Sequence, residues 1–184
     1  MPFSNAKRLL AGLAIAGALA APAWSALPVG AVAPTFSVQA TQGGHVTPFN
    51  LAEKLRHGPV VLYFFPAAFT SGCTIEAHEF AAHMDDFTAA GATVIGMTAG
   101  NTERLAEFST SECRARFPVA AADAALIHSY DTALAMRPGW SDRTSYVIDP
   151  TGHIIYAHSA MNPVEHVEQT LAAVRAWRTA HPHG

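Results

Sequence analysis

Cysteine is scarce in this sequence: Cys73 and Cys113 are the only two among 184 residues, and they form no Cys-x-x-C pair. Two thiols are too few for a disulfide scaffold, and a chain of this length does not need one. A zinc site needs four clustered ligands, yet the ten histidines are scattered and none stands at finger spacing from a cysteine. His181 and His183 offer a weak metal pair at most, in what reads as a solvated tail. Charge is also sparse, at 14% of residues, and the formal net charge is -3 with no basic block. Nucleic-acid binding is therefore disfavoured. Repeats, low-complexity linkers and a second domain are missing as well. Thr-Ser-Gly-Cys is not the elbow of a catalytic serine, and no metal-hydrolase motif occurs.

The single long apolar run, Leu9 to about Ala20, is shorter than the ~20 residues a membrane-spanning helix needs. Lys7 and Arg8 precede it and small residues follow, with cleavage sites near Ala23 to Ala26. This layout predicts a secretory signal over residues 1–26 and one folded domain over 27–184. An uncleaved anchor is the alternative. There is no arginine pair for a twin-arginine route and no cysteine near the cleavage region for lipidation. Removing the signal takes the net charge from -3 to -5. The expected location is the periplasm, without stable membrane association. That compartment is oxidising, and two cysteines there can become a permanent disulfide.

What is present is a strong alternation of elements. PTFSVQATQGGHVTPFNLAEKL reads as a strand, a Gly-Gly turn, a second strand and a short helix. VVLYFF is a continuous apolar run between Gly58 and Pro66, as suits a strand buried on both faces. SGCTIEAHEFAAHMDDFTAAG predicts an amphipathic helix with Ile75, Phe80, Met84 and Phe87 on one side and Gly91 at its end. ATVIGMTAG is a second buried strand. A helix capped by Asn101 is predicted to run to Pro118, followed by a short strand at PVAAD. AALIHSYDTALAM predicts a helix broken at Arg137-Pro138-Gly139. RTSYVIDPTGHIIYAHSA predicts a hairpin about Asp149-Pro150-Thr151-Gly152, and PVEHVEQTLAAVRAWRTA a closing helix. The order is that of an α/β fold: an N-terminal β-hairpin, then a mixed central sheet with helices on both faces.

Cys73 stands where the first long helix should begin. Unpaired backbone N–H groups and the positive end of the helix dipole meet a side chain there. Both favour a thiolate over a thiol whose ordinary pKa is about 8.5. Upstream, Pro66 can end the strand and shield one side of a pocket. Thr70 offers a hydroxyl that both donates and accepts, and Gly72 leaves room for a substrate beside the sulfur. An arginine would complete the set, and Arg143 at the head of a later strand is the candidate.

Pro-x-x-x-Thr-x-x-Cys after a buried strand resembles the active-site motif of the peroxiredoxins. The string G-C-T-I-E-A-H-E-F resembles their Q-type group, the bacterioferritin comigratory proteins. Arg143 in R-T-S-Y-V-I-D-P-T-G matches the arginine of that group's R-x-S/T-F-x-I-D-x-x-G segment. The resemblance covers about residues 28 to 178. It implies a thioredoxin-like fold and thiol-dependent reduction of hydrogen peroxide or an organic hydroperoxide, with no metal or organic cofactor. Cys73 would be the peroxidatic nucleophile, and Thr70 and Arg143 would align the peroxide and stabilise charge as the O–O bond lengthens. Pro66 would screen the site from water. The product would be a sulfenic acid, to be returned to thiol. Glu76 matches the group's C-T-x-E and would organise the helix start; a first-turn acid favoured by the dipole is the plainer account.

One departure matters. Many Q-type enzymes carry a resolving cysteine five residues after the first, where this chain has His78, and a histidine forms no disulfide. His78 and His83 read as solvated helix residues. Cys113, in a helix where other members place their resolving thiol, is the remaining candidate. Its setting, Ser-Glu-Cys-Arg-Ala-Arg, suggests a partly exposed thiol near positive charge. A bridge needs the two Cα atoms within about 7 Å, so helix ends would have to unwind. A bystander thiol in a one-cysteine cycle, or a permanent disulfide, are the alternatives. Thioredoxin-like proteins or small thiols are the expected reductants, and a monomer or weak dimer the expected state. Two competing readings are a periplasmic thiol-disulfide oxidoreductase, disfavoured by Cys73-Thr74-Ile75-Glu76 in place of C-x-x-C, and a non-enzymatic binding or chaperone module on the same fold.

Overall fold

A computed structural model describes Met1 and residues 26–137 and 139–182. The predicted signal over 1–26 lies almost wholly outside the described residues, as do Pro138 and His183. Seven strands form one sheet: β1 (Ser37–Gln42), β2 (His45–Asn50), β3 (Val60–Phe64), β4 (Thr93–Thr98), β5 (Val119–Ala121), β6 (Thr144–Ile148) and β7 (Ile154–Ser159). Their order across the sheet is β2-β1-β5-β4-β3-β6-β7. β3 runs parallel to β4, and β4 to β5; the other pairings are antiparallel, so the sheet is mixed.

β3 is fully buried because it lies inside the sheet with helices over both faces. Side chains alternate along a strand, so Val61, Tyr63 and Phe65 enter one core while Val60, Leu62 and Phe64 enter the other. The first core is covered by α2 (Ser71–Ala89), α3 (Leu105–Ser111) and α5 (Pro163–Ala180), and the second by α1 (Leu51–Leu55) and α4 (Ala124–Ser129). Tyr63 stacks on Phe80 with ring centroids 4.4 Å apart, which pins α2 to the centre of the sheet. Asn50, Asp123 and Asn162 cap α1, α4 and α5 by accepting from backbone N–H groups with their side chains.

Several expectations need correction. Ile75 is 46% exposed, so the buried side of α2 is Cys73, Glu76, Phe80, Met84 and Phe87. The helix predicted from Asn101 to Pro118 is a short 3-10 turn (Thr102–Arg104) and α3, and it ends at Ser111. Asn101 does not cap it. Its backbone is left-handed at φ 54° and its side chain donates to the Ala68 carbonyl at 2.8 Å. The helix predicted over 124–136 stops at Ser129, where Asp131 turns left-handed.

Candidate active site

β3 delivers the chain to the end of the sheet where the site is built. The loop 65–70 that follows is held from several sides. Ser141 Oγ donates to the Phe65 carbonyl at 2.8 Å, and Thr98 Oγ1 to the Pro66 carbonyl at 3.1 Å. Ala68 N donates to the Gly100 carbonyl at 3.1 Å. Gly100 is obligatory there: a Cβ would stand 2.4 Å from the Pro66 carbonyl oxygen. Phe69 adopts φ 63°, and the chain then enters α2 with Thr70 at its N-cap. The Thr70 hydroxyl does not cap the helix; it donates to the Ala67 carbonyl at 3.1 Å and keeps its lone pairs.

Cys73, in the first turn of α2, is 1% exposed. Arg143, at the entry to β6, reaches across the sheet end to it. Its Nη2 donates to Cys73 Sγ at 3.5 Å and its Nη1 to Glu76 Oε2. Its Nε has no partner. The expectation that Gly72 leaves room for a substrate is corrected in its detail. A Cβ on Gly72 would lie 2.9 Å from Arg143 Nη2, so the space is taken by the guanidinium. Cys73, Gly72, Glu76 and Arg143 thus form one cluster, with Thr70 and Pro66 on the loop that leads into it.

Glu76 is completely buried. Burial pushes its carboxyl up to about 8, against the opposing pull of Arg143. Its other oxygen, Oε1, has no hydrogen-bond partner and faces His166 Nδ1 at 4.0 Å. His166 is buried in α5, and burial takes its pKa down to about 4. Ser145 Oγ lies 2.9 Å from its Nδ1, and its Nε2 lies 2.9 Å from the Ala160 carbonyl. A carbonyl only accepts, so Nε2 carries the hydrogen and Nδ1 the lone pair. Sequence reasoning missed His166 and Ser145. The available signal was register: His166 shares the inward stripe of α5 with Val167, Thr170, Leu171 and Val174.

Cys113 contradicts its expected setting. It lies after α3, completely buried, in the same apolar cluster as Cys73. Burial, and then the neighbouring Glu112, push its thiol well above the usual range. Arg114 and Arg116 point outward, and Arg116 pairs with Asp85. His78 is not merely solvated: its Nε2 meets Glu112 Oε2 at 2.9 Å. Both cysteines are free, and the Tyr63 hydroxyl, buried without a partner, lies in the field of Cys113, Glu76 and Cys73. Among the described residues no group of three or more His, Cys, Asp or Glu side chains is arranged to hold a metal ion.

A guanidinium against a sulfur at a helix N-terminus stabilises negative charge on that sulfur and on an atom reacting with it. Comparisons with known proteins point the same way. Residues 29–157 match the model of the AhpC/TSA family. Peroxiredoxin Bcp of Escherichia coli K12 is 35% identical over 86 residues, 47% of this chain and 53% of that protein. Peroxiredoxin Bcp of Xanthomonas campestris is 26% identical over 122 residues, 64% of this chain and 76% of that one. The chain spans about half the length of the curated relatives it matches at 35–38% identity. The crystal structure of peroxidoxin BcpB from Mycobacterium tuberculosis superposes with a TM-score of 0.71 at 28% identity, over 80% of this chain and 96% of that one.

Proposed function

The chain belongs to the AhpC/TSA family, with a thioredoxin-like fold and Bcp peroxiredoxins among its relatives, and on that premise we propose that it is a thiol-dependent peroxidase acting through Cys73. The observation that carries this reading is Arg143 Nη2 set 3.5 Å from Cys73 Sγ at the start of α2. The thiolate attacks one oxygen of hydrogen peroxide or an organic hydroperoxide, the O–O bond breaks, and water or an alcohol leaves with a proton. Cys73 is oxidised to sulfenic acid. The unpartnered Nε of Arg143 and the lone pairs of Thr70 are suited to align the peroxide. Pro66, on the same loop, screens the site from water.

Burial of Cys73 favours this chemistry over protein thiol-disulfide exchange. A sulfur 1% exposed is reached more readily by a small peroxide than by a protein disulfide. We assign resolution to Cys113, which shares an apolar cluster with Cys73. Its thiol displaces water from the sulfenic acid to give a disulfide, once the turn after α3 opens. A thioredoxin-like protein or small thiol then supplies two electrons. The basic, apolar and small-residue segments of 1–26 support export to the periplasm, which N-terminal mass analysis after fractionation tests.

The experiment is to reduce the protein, add one equivalent of hydrogen peroxide, and trap thiols at short times for mass spectrometry. Sulfenic acid on Cys73 followed by a Cys73–Cys113 bridge is the expected sequence. A persistent Cys73 sulfenic acid, with Cys113 still alkylatable, removes Cys113 from the cycle. A Cys73 no faster than an ordinary thiol defeats the peroxidase reading.

A further inference from the structure

Four successive carbonyls of the loop between β3 and α2 are taken, one after another, by side chains. Ser141 Oγ donates to Phe65, Thr98 Oγ1 to Pro66, Thr70 Oγ1 to Ala67 and Asn101 Nδ2 to Ala68, over 2.8 to 3.1 Å. A loop without ladder partners needs such donors for its backbone groups. The last of the four does more than satisfy an acceptor. The peptide plane between Ala68 and Phe69 is oriented jointly by ψ of Ala68 and φ of Phe69. Phe69 stands at φ 63°, a left-handed value that is costly for a bulky residue and that a turn of this plane would relieve. The Asn101 amide pins the carbonyl edge of the plane and so holds Phe69 left-handed. Thr70 follows directly, and the direction in which its side chain leaves depends on this corner.

Asn101 is itself left-handed at φ 54°, and asparagine is one of the few residues that enter this region readily. Its turn brings a second group to the same corner. Arg104 N donates to the Asn101 carbonyl at 3.1 Å, and the Arg104 guanidinium lies 3.8 Å from the centroid of the Phe69 ring. Glu107 steadies that guanidinium through contacts of 3.0 to 3.1 Å. Phe108 meets the same ring edge to face, 5.2 Å between centroids. One short turn thus grips residue 68 by its carbonyl and residue 69 by its ring.

We propose that Asn101 is a positioning residue for the peroxide step: by locking the Ala68–Phe69 peptide it aims the Thr70 hydroxyl at the peroxide, with Arg104 as its auxiliary on the Phe69 ring. This deepens the peroxidatic reading of Cys73 and rests on it. Cys73 and Arg143 are carried by α2 and by the head of β6, outside the clasp, so their contact survives its loss. Peroxide, which needs Thr70, and iodoacetamide, which needs only the thiolate, therefore respond differently.

Two substitutions separate the amide from the backbone conformation. Asn101→Gly removes the donor and adopts the left-handed backbone without penalty. Asn101→Asp keeps the shape but turns an acceptor toward the Ala68 carbonyl. Single-turnover rates of reduced Cys73 with hydrogen peroxide and with iodoacetamide are measured at pH 7 for wild type and both variants, and again in a Thr70→Val background. Each variant is expected to lower the peroxide rate about tenfold and to leave alkylation within about twofold of wild type. In the Thr70→Val background the same substitutions change the peroxide rate by less than about twofold, because no hydroxyl is left to aim. Arg104→Leu, at an exposed position, is expected to lower the peroxide rate about threefold with the same selectivity.

Equal losses with both reagents make Asn101 a support of the fold at large and overturn the proposal. An undiminished peroxide rate overturns it too, as does a tenfold loss that persists without the Thr70 hydroxyl. Should neither Asn101 variant fold, Arg104→Leu decides: a peroxide rate that is unchanged, or that falls together with alkylation, overturns the proposal. A wild-type Cys73 no faster with peroxide than an ordinary thiol, whatever the variants do, defeats the peroxidase reading itself, and this inference with it.

Discussion

Gly72 shows how one missing atom shapes this site. Glycine costs a helix up to about 1 kcal/mol relative to alanine, so its use in the first turn of α2 needs a reason. The reason is Arg143, whose Nη2 would be 2.9 Å from an added Cβ. The obstructing atom is the far end of a flexible side chain, so it can move aside without disturbing the backbone. Gly72→Ala is therefore expected to leave the melting temperature unchanged or slightly raised. The displaced guanidinium no longer meets Cys73 Sγ, and kcat/KM for peroxide is expected to fall about 10- to 100-fold. A parallel loss of stability and activity would instead mark a packing defect. Arg143→Lys makes the complementary test. An ammonium keeps the charge but cannot span Cys73 and Glu76 together, which the guanidinium does through Nη2 and Nη1. A loss of about 10²- to 10³-fold in kcat/KM is expected, with the buried Glu76 left short of a donor.

At the scale of elements, the turn after α3 governs access to Cys113. Arg114 and Ala115 both adopt left-handed backbone, at φ 51° and 54°, a conformation that costs a non-glycine residue about 1 kcal/mol or more. The turn is held against α2 by His78–Glu112 and Arg116–Asp85, and against the β1–β2 turn by Gln42 Nε2 donating to the Ala115 carbonyl at 3.0 Å. Half-exposed ion pairs contribute little, about 0.2–1 kcal/mol each. His78→Ala is thus expected to raise the alkylation rate of reduced Cys113 about two- to fivefold, because opening becomes easier. Ala115→Gly, which removes the left-handed penalty, is expected to slow it.

That turn also marks where the sequence stopped being readable. β3, the β6–β7 hairpin and α5 were legible because an apolar run, turn residues and a 3.6-residue stripe each impose one solution. The end of α3 was not, because the chain turns left-handed at Arg114 and Ala115 without a glycine to announce it. Cys73, Thr70 and Arg143 could be named because their strings resemble the peroxiredoxin motifs, and Gly72 from its place beside the sulfur. The burial of Glu76 could not, since an acid in a first helical turn has an ordinary dipole explanation. His166 was hidden for a related reason: a histidine inside an amphipathic stripe looks like an interruption until the opposite carboxylate is placed beside it.

The whole molecule carries the cost of these buried groups in its pH dependence. Glu76 has its folded pKa raised from 4.5 to about 8, so the folded state binds the proton more tightly than the unfolded chain. Its contribution is fully present below pH 4.5 and is lost as pH rises to about 8, at up to about 1.4 kcal/mol per pH unit. His166 has its folded pKa lowered from 6.5 to about 4, and the sign reverses. Its contribution is present above pH 6.5 and is lost as pH falls to about 4. Between pH 4.5 and 6.5 the two slopes oppose each other, and above 6.5 Glu76 acts without that offset. Asp142, raised from 3.8 to about 6, adds a loss with the same sign as Glu76, confined to lower pH. A difference measurement isolates Glu76 from the other two. Glu76→Gln removes one titration and keeps an acceptor for Arg143, so the melting temperature of the variant relative to wild type should climb steadily from pH 5 to pH 8 and level off beyond. A gap that does not change with pH would mean that Arg143 holds Glu76 ionised throughout this range.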